Sequence, residues 1–581
     1  MLAIAVMLLT SIILLLSMAG GGIYPWSLQT AAVLLPAAAL PILLQHDNTC
    51  KTADWRSPVW LLFLFLCIMI LPLPLFFHGL SPIRAEANHI AAETIQELSN
   101  TNMINARISN LFTLTRNQAG SLRFLLLFIA SFAAWNISRH ASPQLRIRLL
   151  AALLLIGVIA TTLGILGKWV FPQGDTLYWI IPIPHGLPGP MAGFINRNHY
   201  AGFLAILAPV ALCATIHAMK CRHYVWSAVS MLITIFLSSG VLLSMSRGGT
   251  LACLTGLLTT TFIISLQLPW KQKVLAYALS ILFVLGCGVI VHQVPMLHAR
   301  LIQWRSPATI EAASMRFDAW RDSLQVAKAY PVIGAGPNAF RAVYPQHRLT
   351  SERATRDFAE NEYVQWLAET GIIGTLLALA IAWIILQKII KKDNKQDSFP
   401  SPWLPAAAGA LAAAATHATV DFPFRLPIYT ISLAALVALA WPAPLSNANM
   451  PVSGTHTMVV GIGLLLAILT LPANLSLDAP SMIASAPPAK ILRALRAAPT
   501  YPLVWRRCSA ILWQKHEPEQ RHMAVDLLAQ AAQYDPNNYI LWQTLGQRRQ
   551  ALGDNAGANA AYRRVRELRD WVRVPELPES P

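Results

Sequence analysis

The sequence predicts an all-α fold: a polytopic membrane helical bundle of about 12–13 transmembrane helices, followed by an α-helical repeat domain on the outer side. Three observations predict it. Of the 581 residues 55% are hydrophobic and only 12% are charged, half the charge of an ordinary soluble domain, at about 25%. Apolar stretches long enough to cross a hydrocarbon core of about 30 Å recur along most of the chain. Five loops carrying Lys and Arg fall on one side in strict alternation, and the last loop on that side, 442–455, has neither. Together these exclude a soluble enzyme and a disordered chain.

The spans are expected at 2–19, 26–45, 58–77, 121–137, 147–167, 199–218, 224–244, 249–268, 273–292, 369–389, 403–419, 426–441 and 456–474. Each is expected to be helical, because lipid offers no partner to an unpaired backbone amide. The first is apolar but has no basic residues ahead of it, so it reads as a retained helix rather than a cleaved signal. With the N-terminus inside, Lys51 and Arg56, then Arg139, Arg146 and Arg148, then Lys220 and Arg222, then Lys271 and Lys273, then Lys388, Lys391, Lys392 and Lys395 all fall on the cytoplasmic side. The opposite loops are long and mixed in charge (78–120, 168–198, 293–368) or short (245–248, 420–425). This arrangement divides the chain into a membrane domain, 1–474, and an outer tail, 475–581. The net charge of +17 is thus mostly an orientation signal and no nucleic-acid footprint. Cysteines 50, 67, 213, 221, 253, 287 and 508 are scattered, with no metal-ligand spacing and no disulfide framework.

The tail changes character after Pro480, Pro487 and Pro488. It repeats at a spacing of 34, aligning Pro502 with Pro536, Ile511 with Leu545, Ala524 with Ala558 and Leu527 with Ala561. The second copy, with Trp542, Leu545, Gly546, Gly553, Ala558 and Tyr562, resembles a tetratricopeptide helix pair, whose apolar face is buried only by stacking. Such repeats recruit a protein partner or serve as a packing platform, and both readings stand.

Four outer stretches carry polar residues. Arg197, flanked by Asn196, Asn198 and His199, opens a span, where helix amides and a guanidinium make a phosphate site, or simply a polar cap with a snorkelling arginine. Arg247 lies in the turn Ser-Met-Ser-Arg-Gly-Gly, 244–249, so short that it sits at the membrane boundary, as a ligand contact or an interfacial anchor. In the loop 293–368 an amphipathic helix is expected to open at Ser314 as its N-cap. Arg316 and Trp320, four apart on one face, fit an anion and a sugar ring, or a solvated surface. The loop helix ends at Tyr-Pro-Val-Ile-Gly-Ala-Gly, 330–336. Glu360, Asn361 and Glu362 open the next span, with Glu360 expected over its first turn, either as a helix-dipole carboxylate or as a general base.

If the helices bundle, three arginines and a carboxylate converge on one membrane face. That suits a diphosphate in the headgroup region, with arginine forks on its oxygens and the carboxylate taking a proton from an incoming hydroxyl. Group transfer without metal or cofactor is the expectation. The near absence of acids within the spans, and of inverted repeats, argues against an ion-coupled transporter.

The order Asn-Arg-Asn-His-Tyr (196–200), Ser-Arg-Gly-Gly (246–249), Arg-Phe-Asp-Ala-Trp (316–320), Tyr-Pro-Val-Ile-Gly-Ala-Gly (330–336), Glu-Asn-Glu-Tyr (360–363) and Ala-Glu-Thr-Gly-Ile-Ile-Gly (368–374) resembles the O-antigen ligase superfamily over about 190–430. That superfamily includes O-antigen ligases, polysaccharide polymerases and protein O-oligosaccharyltransferases of the bacterial inner membrane. The resemblance implies a GT-C-like bundle, a periplasmic loop and tail, and metal-independent transfer of a polyprenyl-diphosphate-linked glycan, such as one on undecaprenyl diphosphate, to an acceptor hydroxyl. It implies diphosphate contacts for Arg247 and Arg316, with Arg197 assisting. The family usually has a histidine before the asparagine that opens the tenth-span helix; here Glu360 holds that place and also accepts a proton. The stretch 416–425, with His417 and Asp421, resembles an outer turn of oligosaccharyltransferase relatives; it lines the site or packs and caps the turn.

The sequence therefore points to a glycosyltransferase with catalytic Glu360, Arg316 and Arg247. Substrate contacts are expected from Arg197, Asn196, Asn198, His199, Trp320, Asn361 and His417. Membrane lipid and the lipid-linked donor are the expected partners, with a glycan, lipid or protein acceptor and a protein partner for the repeats. A polymerase of the same superfamily, or a non-enzymatic assembly or transport component, remains the alternative.

Overall fold

The computed structural model describes residues 1–22, 24–46, 57–71, 73–74, 89–91, 93–94, 111–170, 176–177, 181–182, 191–274, 277–278, 286, 293, 307–351, 356–390, 401–440, 454–470, 491, 494–495, 498–515, 517–569 and 572–578. Its principal helices are α1 (Leu2–Met18), α2 (Pro25–His46), α3 (Pro58–Ile70), α4 (Gln118–His140), α5 (Pro143–Val170), α6 (Arg197–Lys220), α7 (Tyr224–Leu243), α8 (Arg247–Ser265), α9 (Pro307–Ala329), α10 (Phe340–His347), α11 (Glu362–Ile390), α12 (Leu404–Ala418), α13 (Pro427–Ala438), α14 (Gly454–Leu469), and in the tail α15 (Pro502–Trp513), α16 (Pro518–Tyr534), α17 (Tyr539–Ala551) and α18 (Asn555–Leu568). Extended structure among the described residues consists of two antiparallel pairs of two residues, Leu73–Pro74 with Leu111–Phe112 and Thr176–Leu177 with Ile181–Pro182, and an isolated antiparallel bridge between Met191 and Phe194.

Among the described residues, seven helices are long and apolar enough to cross a membrane: Trp26–Leu44 within α2, α4, Pro143–Gly167 within α5, α6, α7, α8 and Glu362–Gln387 within α11. The protein is a multi-pass helical membrane bundle. Shorter apolar helices α1, α3, α13 and α14 occupy four further expected spans, and α12 a fifth. The expected span 273–292 lies almost wholly outside the described residues. The expected span 58–77 is cut short: α3 stops at Ile70, and the chain turns into the extended pair at Leu73–Pro74. Pro72 and Pro74 are the physical reason, since each lacks the amide a continuing helix needs.

The described chain divides into two compact units, each assembled from three stretches. The first comprises 1–61, 126–313 and 378–472, the second 62–125, 314–377 and 473–581. In the first unit α6 is the central helix, buried without interruption over residues 199–211 and packed on α7, α8 and α12. Lipid tails are as apolar as leucine, so helices gain little by hiding apolar surface from them and instead pack closely through small residues. α6 (Ala201, Gly202, Ala205, Ala208, Ala211) and the alanine-rich α12 supply those residues. α7 instead presents Tyr224, Val225, Trp226, Leu232 and Ile235 outward, an apolar surface suited to lipid.

In the second unit the tail forms two helical hairpins, α15–α16 and α17–α18. Their core holds Val504, Trp505, Leu512, Leu528, Ala531, Leu541 and Leu545, and it also takes in Ala342 of α10. Equivalent points in the two hairpins are 37 residues apart, not the 34 read from the sequence. Trp505 donates its indole N–H to the Pro499 carbonyl at 2.7 Å, and Trp542 donates to the Pro536 carbonyl at 2.9 Å; from 505 to 542 is 37. The alanine and leucine matches at 34 fall one helical turn away from this register, so periodicity alone selects the wrong one.

Candidate functional site

The long outer loop is built on α9, which begins at Pro307 rather than Ser314. Proline suits a first turn, where its missing amide costs nothing, and Ser314 lies inside the helix instead of capping it. Ala319, Asp322, Ser323 and Val326 are buried, the i, i+3, i+4, i+7 spacing of an inward face. Asp322 sits on that face. Its carboxylate accepts from the Leu349 amide at 3.1 Å, the Thr350 hydroxyl at 3.2 Å and the Tyr344 hydroxyl at 3.3 Å. Sequence reading missed this residue, although an acid on the apolar face of an amphipathic helix was the available signal.

The start of α11 also differs from expectation. Asn361 is the cap: its side-chain oxygen accepts from the amides of Tyr363 at 3.0 Å and Val364 at 3.2 Å. Glu360 precedes the cap with φ of 52°, so helical spacing to Tyr363 and Val364 does not apply and Glu360 does not lie over the first turn. The left-handed residue aims Glu360 back toward α9. There its Oε2 accepts from Arg316 Nε at 2.8 Å, with both side chains about one-third to two-fifths exposed (36% and 42%). Two residues 44 apart in sequence, each singled out for chemistry, thus meet. Trp320, one turn along α9 from Arg316, is partly buried, its ring edge-on to Phe317 at 5.1 Å.

What holds Glu360 and its helix is an interlocked backbone. α11 breaks at Gly371, φ 61°. The carbonyls and amides freed there pair with the turn after α9: Ala335 N to Ala368 O at 3.0 Å, Gly336 N to Glu369 O at 2.8 Å, Ile372 N to Pro331 O at 2.9 Å and Ile373 N to Val332 O at 3.1 Å. A Cβ at Gly334 would collide with the backbone of Glu369 and Thr370, and one at Gly371 with Val332. The two glycine-containing motifs are therefore two halves of one joint. Fully buried Glu369 closes it, accepting from the amides of Asn338 at 2.6 Å and Phe340 at 3.2 Å and from Gln365 at 3.0 Å.

In the first unit, Asn196 caps α6, its side chain accepting from the Asn198 amide at 2.8 Å, and Arg197 is the first helical residue. Ser246 caps α8, accepting from the Gly249 amide at 3.2 Å, and Arg247 is likewise the first residue. His199 and His417 face one carboxylate: His199 Nε2 lies 3.6 Å from Asp421 Oδ1 and His417 Nε2 lies 3.5 Å from Asp421 Oδ2, all three side chains buried. The Phe422 amide donates to Asp421 Oδ1 at 2.8 Å. Burial pushes the Asp421 carboxyl up, but His199, His417 and that amide outweigh it and hold it down to about 2. The His417 ring packs on α6 at Gly202, where a Cβ would stand 2.6 Å from Nδ1, and lies 3.5 Å from a Cβ placed on Gly248, next to Arg247. Asp421 thus ties the start of α6 to the end of α12, and the His417 ring it faces lies beside the Arg247 turn.

Residues 232–379 match the family model described as O-Antigen ligase. No curated protein matches the chain. The matched segment runs from within α7 to within α11 and encloses Arg247, Arg316, Glu360 and both halves of the glycine joint; Arg197, His417 and Asp421 lie outside it.

Proposed function

We propose that this chain, whose residues 232–379 match the O-Antigen ligase family model, is an inner-membrane glycosyltransferase that moves a polyprenyl-diphosphate-linked glycan to an acceptor hydroxyl on the periplasmic face. The observation that carries this reading is the Arg316–Glu360 pair at 2.8 Å, inside the matched segment and open to solvent. In this reading the donor diphosphate competes for Arg316, and the guanidinium passes from the carboxylate to the phosphate oxygens, as its fork geometry favours. Glu360, released, takes the proton from the acceptor hydroxyl. The acceptor oxygen bonds to the anomeric carbon while the bond from that carbon to the diphosphate oxygen breaks, and the leaving polyprenyl diphosphate carries its new charge on Arg316 and Arg247. Arg197 assists at the headgroup, and Trp320 offers a ring face to the sugar. Arginines supply the charge neutralisation that a metal provides elsewhere, so transfer is expected to persist in chelator.

Purified protein given a defined lipid-diphosphate glycan and candidate acceptors tests the proposal. Release of polyprenyl diphosphate, lost in Arg247→Ala and Arg316→Ala while both proteins accumulate in the membrane, is the expected result. Near-normal transfer by either variant would overturn the site assignment. No release with any acceptor would overturn the enzymatic reading and leave an assembly component. The product mass separates attachment to a final acceptor from extension of a glycan.

A further inference from the structure

We infer that the buried Arg348–Asp535 pair positions Glu360, so that the C-terminal hairpins act in cis as a clamp on the loop presenting the proposed base; this rests on the functional reading above. The pair is almost wholly inaccessible, 0% and 1% exposed, with Arg348 Nε donating to Asp535 Oδ1 at 2.9 Å and Nη2 at 2.7 Å from the same oxygen. Asp535 belongs to the turn joining the two hairpins, between α16 and α17. Arg348 follows α10 in the long loop. Around the pair the tail grips the same short segment three more times. Asn537 donates to the Arg348 carbonyl at 2.6 Å, Arg569 donates to the Ser351 carbonyl at 2.8 Å, and the Ser351 hydroxyl donates to the Leu568 carbonyl at 3.2 Å.

From the other side Asp322 of α9 holds Leu349 and Thr350. Residues 348–351 are therefore fixed between two buried carboxylates, one from α9 and one from the tail. Six residues before Asp322, α9 carries Arg316, which holds Glu360; nine residues after Ser351, the chain reaches Glu360 itself. Both connections to the proposed base, through α9 and along the chain, start from the clamped segment. A buried ion pair is a poor device for stability, because removing both charges from water costs most of what their attraction returns. Its use here is geometric: a hydrogen-bonded guanidinium and carboxylate accept only a narrow range of arrangements. A tail serving solely to recruit partners has no need to bury a charge pair against the loop.

The test uses the full-length protein with the defined polyprenyl-diphosphate glycan. Asp535→Asn keeps the shape and removes the charge, Arg348→Lys keeps the charge and removes the fork, and Leu512→Ala loosens the tail core at α15, which makes none of the clamp contacts. Asp535→Asn is expected to lower kcat tenfold or more while changing KM for the donor less than twofold. It is also expected to raise hydrogen exchange at 356–361, with Arg348→Lys recovering part of the rate relative to Arg348→Ala. Leu512→Ala lowers Tm but leaves kcat per folded molecule unchanged. Unchanged kcat and exchange in Asp535→Asn, or an equal kcat loss in Leu512→Ala, would overturn the inference. If Asp535→Asn does not accumulate, Asn537→Ala and Arg569→Gln weaken the same grip from its rim and are judged by the same two readouts. Absence of transfer by the unmodified protein would fell the functional reading alone, because exchange at 356–361 still decides whether the tail orders the loop.

Discussion

Each unit holds a carboxylate against basic partners, and the two are built for opposite purposes. Asp421 is buried between two imidazoles at 3.5 and 3.6 Å and receives a backbone amide. Glu360 is about one-third exposed, on a left-handed residue outside any helix, and meets one guanidinium at 2.8 Å. Pairs as open to water as Arg316–Glu360 contribute about 0–1 kcal/mol to stability. A buried carboxylate deprived of its partners costs about 3 kcal/mol or more. Exposure thus separates the group that can exchange its partner for a substrate from the group that fixes helices in place.

The largest expected effect breaks the open pair. Glu360→Gln should lower transfer by about 10²–10⁴-fold, the usual worth of a general base. Thermal stability should stay within about 1 kcal/mol of the parent. Measured together, transfer rate and Tm check whether function and stability separate at this carboxylate. A large Tm loss would place Glu360 in the same class as Asp421.

The buried cluster should show the reverse. Asp421→Ala removes the carboxylate that faces His199 and His417 and is expected to cost about 3 kcal/mol, read as lower Tm and lower accumulation in the membrane. The joint behind Glu360 comes next: Gly371→Ala forces a Cβ onto φ 61° and against the Val332 backbone, a strain of about 2 kcal/mol. That variant should lose transfer through misplacement of Glu360, with increased exchange at 330–336 as the independent readout.

How much of this was legible in the sequence follows from what decides each feature. Hydropathy places the spans because lipid demands unbroken helices. It overruns at α3, where Pro72 and Pro74 act locally. Arg316 and Glu360 were each legible as charged residues in polar loops, but their contact depends on a left-handed residue and on the Gly334–Gly371 joint, neither of which leaves a periodic trace. Asn196, Asn361 and Ser246 prove to be caps, a role their positions before helices already indicated. Asp322 and Glu369 were overlooked because single buried acids form no motif. The tail's register was misread because small apolar residues match at both 34 and 37, whereas only the indole–carbonyl bonds distinguish the two.

The smallest expected effect turns on pH and sharpens the contrast between the units. In the second unit burial and the nearby charge of Arg116 push the His347 imidazole down to about 4. Its ordinary value is about 6.5, so between pH 6.5 and about 4 the unfolded chain binds a proton there that the folded chain refuses. Stability is therefore full above pH 6.5 and falls as pH drops through that window, by about 1.4 kcal/mol per unit at most. Asp421 has the same proton preference, at lower pH. Its folded value of about 2 lies below the ordinary 3.8, so its contribution is complete at pH 5 and begins to fail only below about 4. Acidification from pH 7 to 5 should accordingly loosen the loop around His347 while the Asp421 carboxylate stays ionised. Hydrogen exchange resolved by segment checks this: protection at 340–351 should drop by pH 5.5. His347→Leu, which has no proton to gain, should flatten that response.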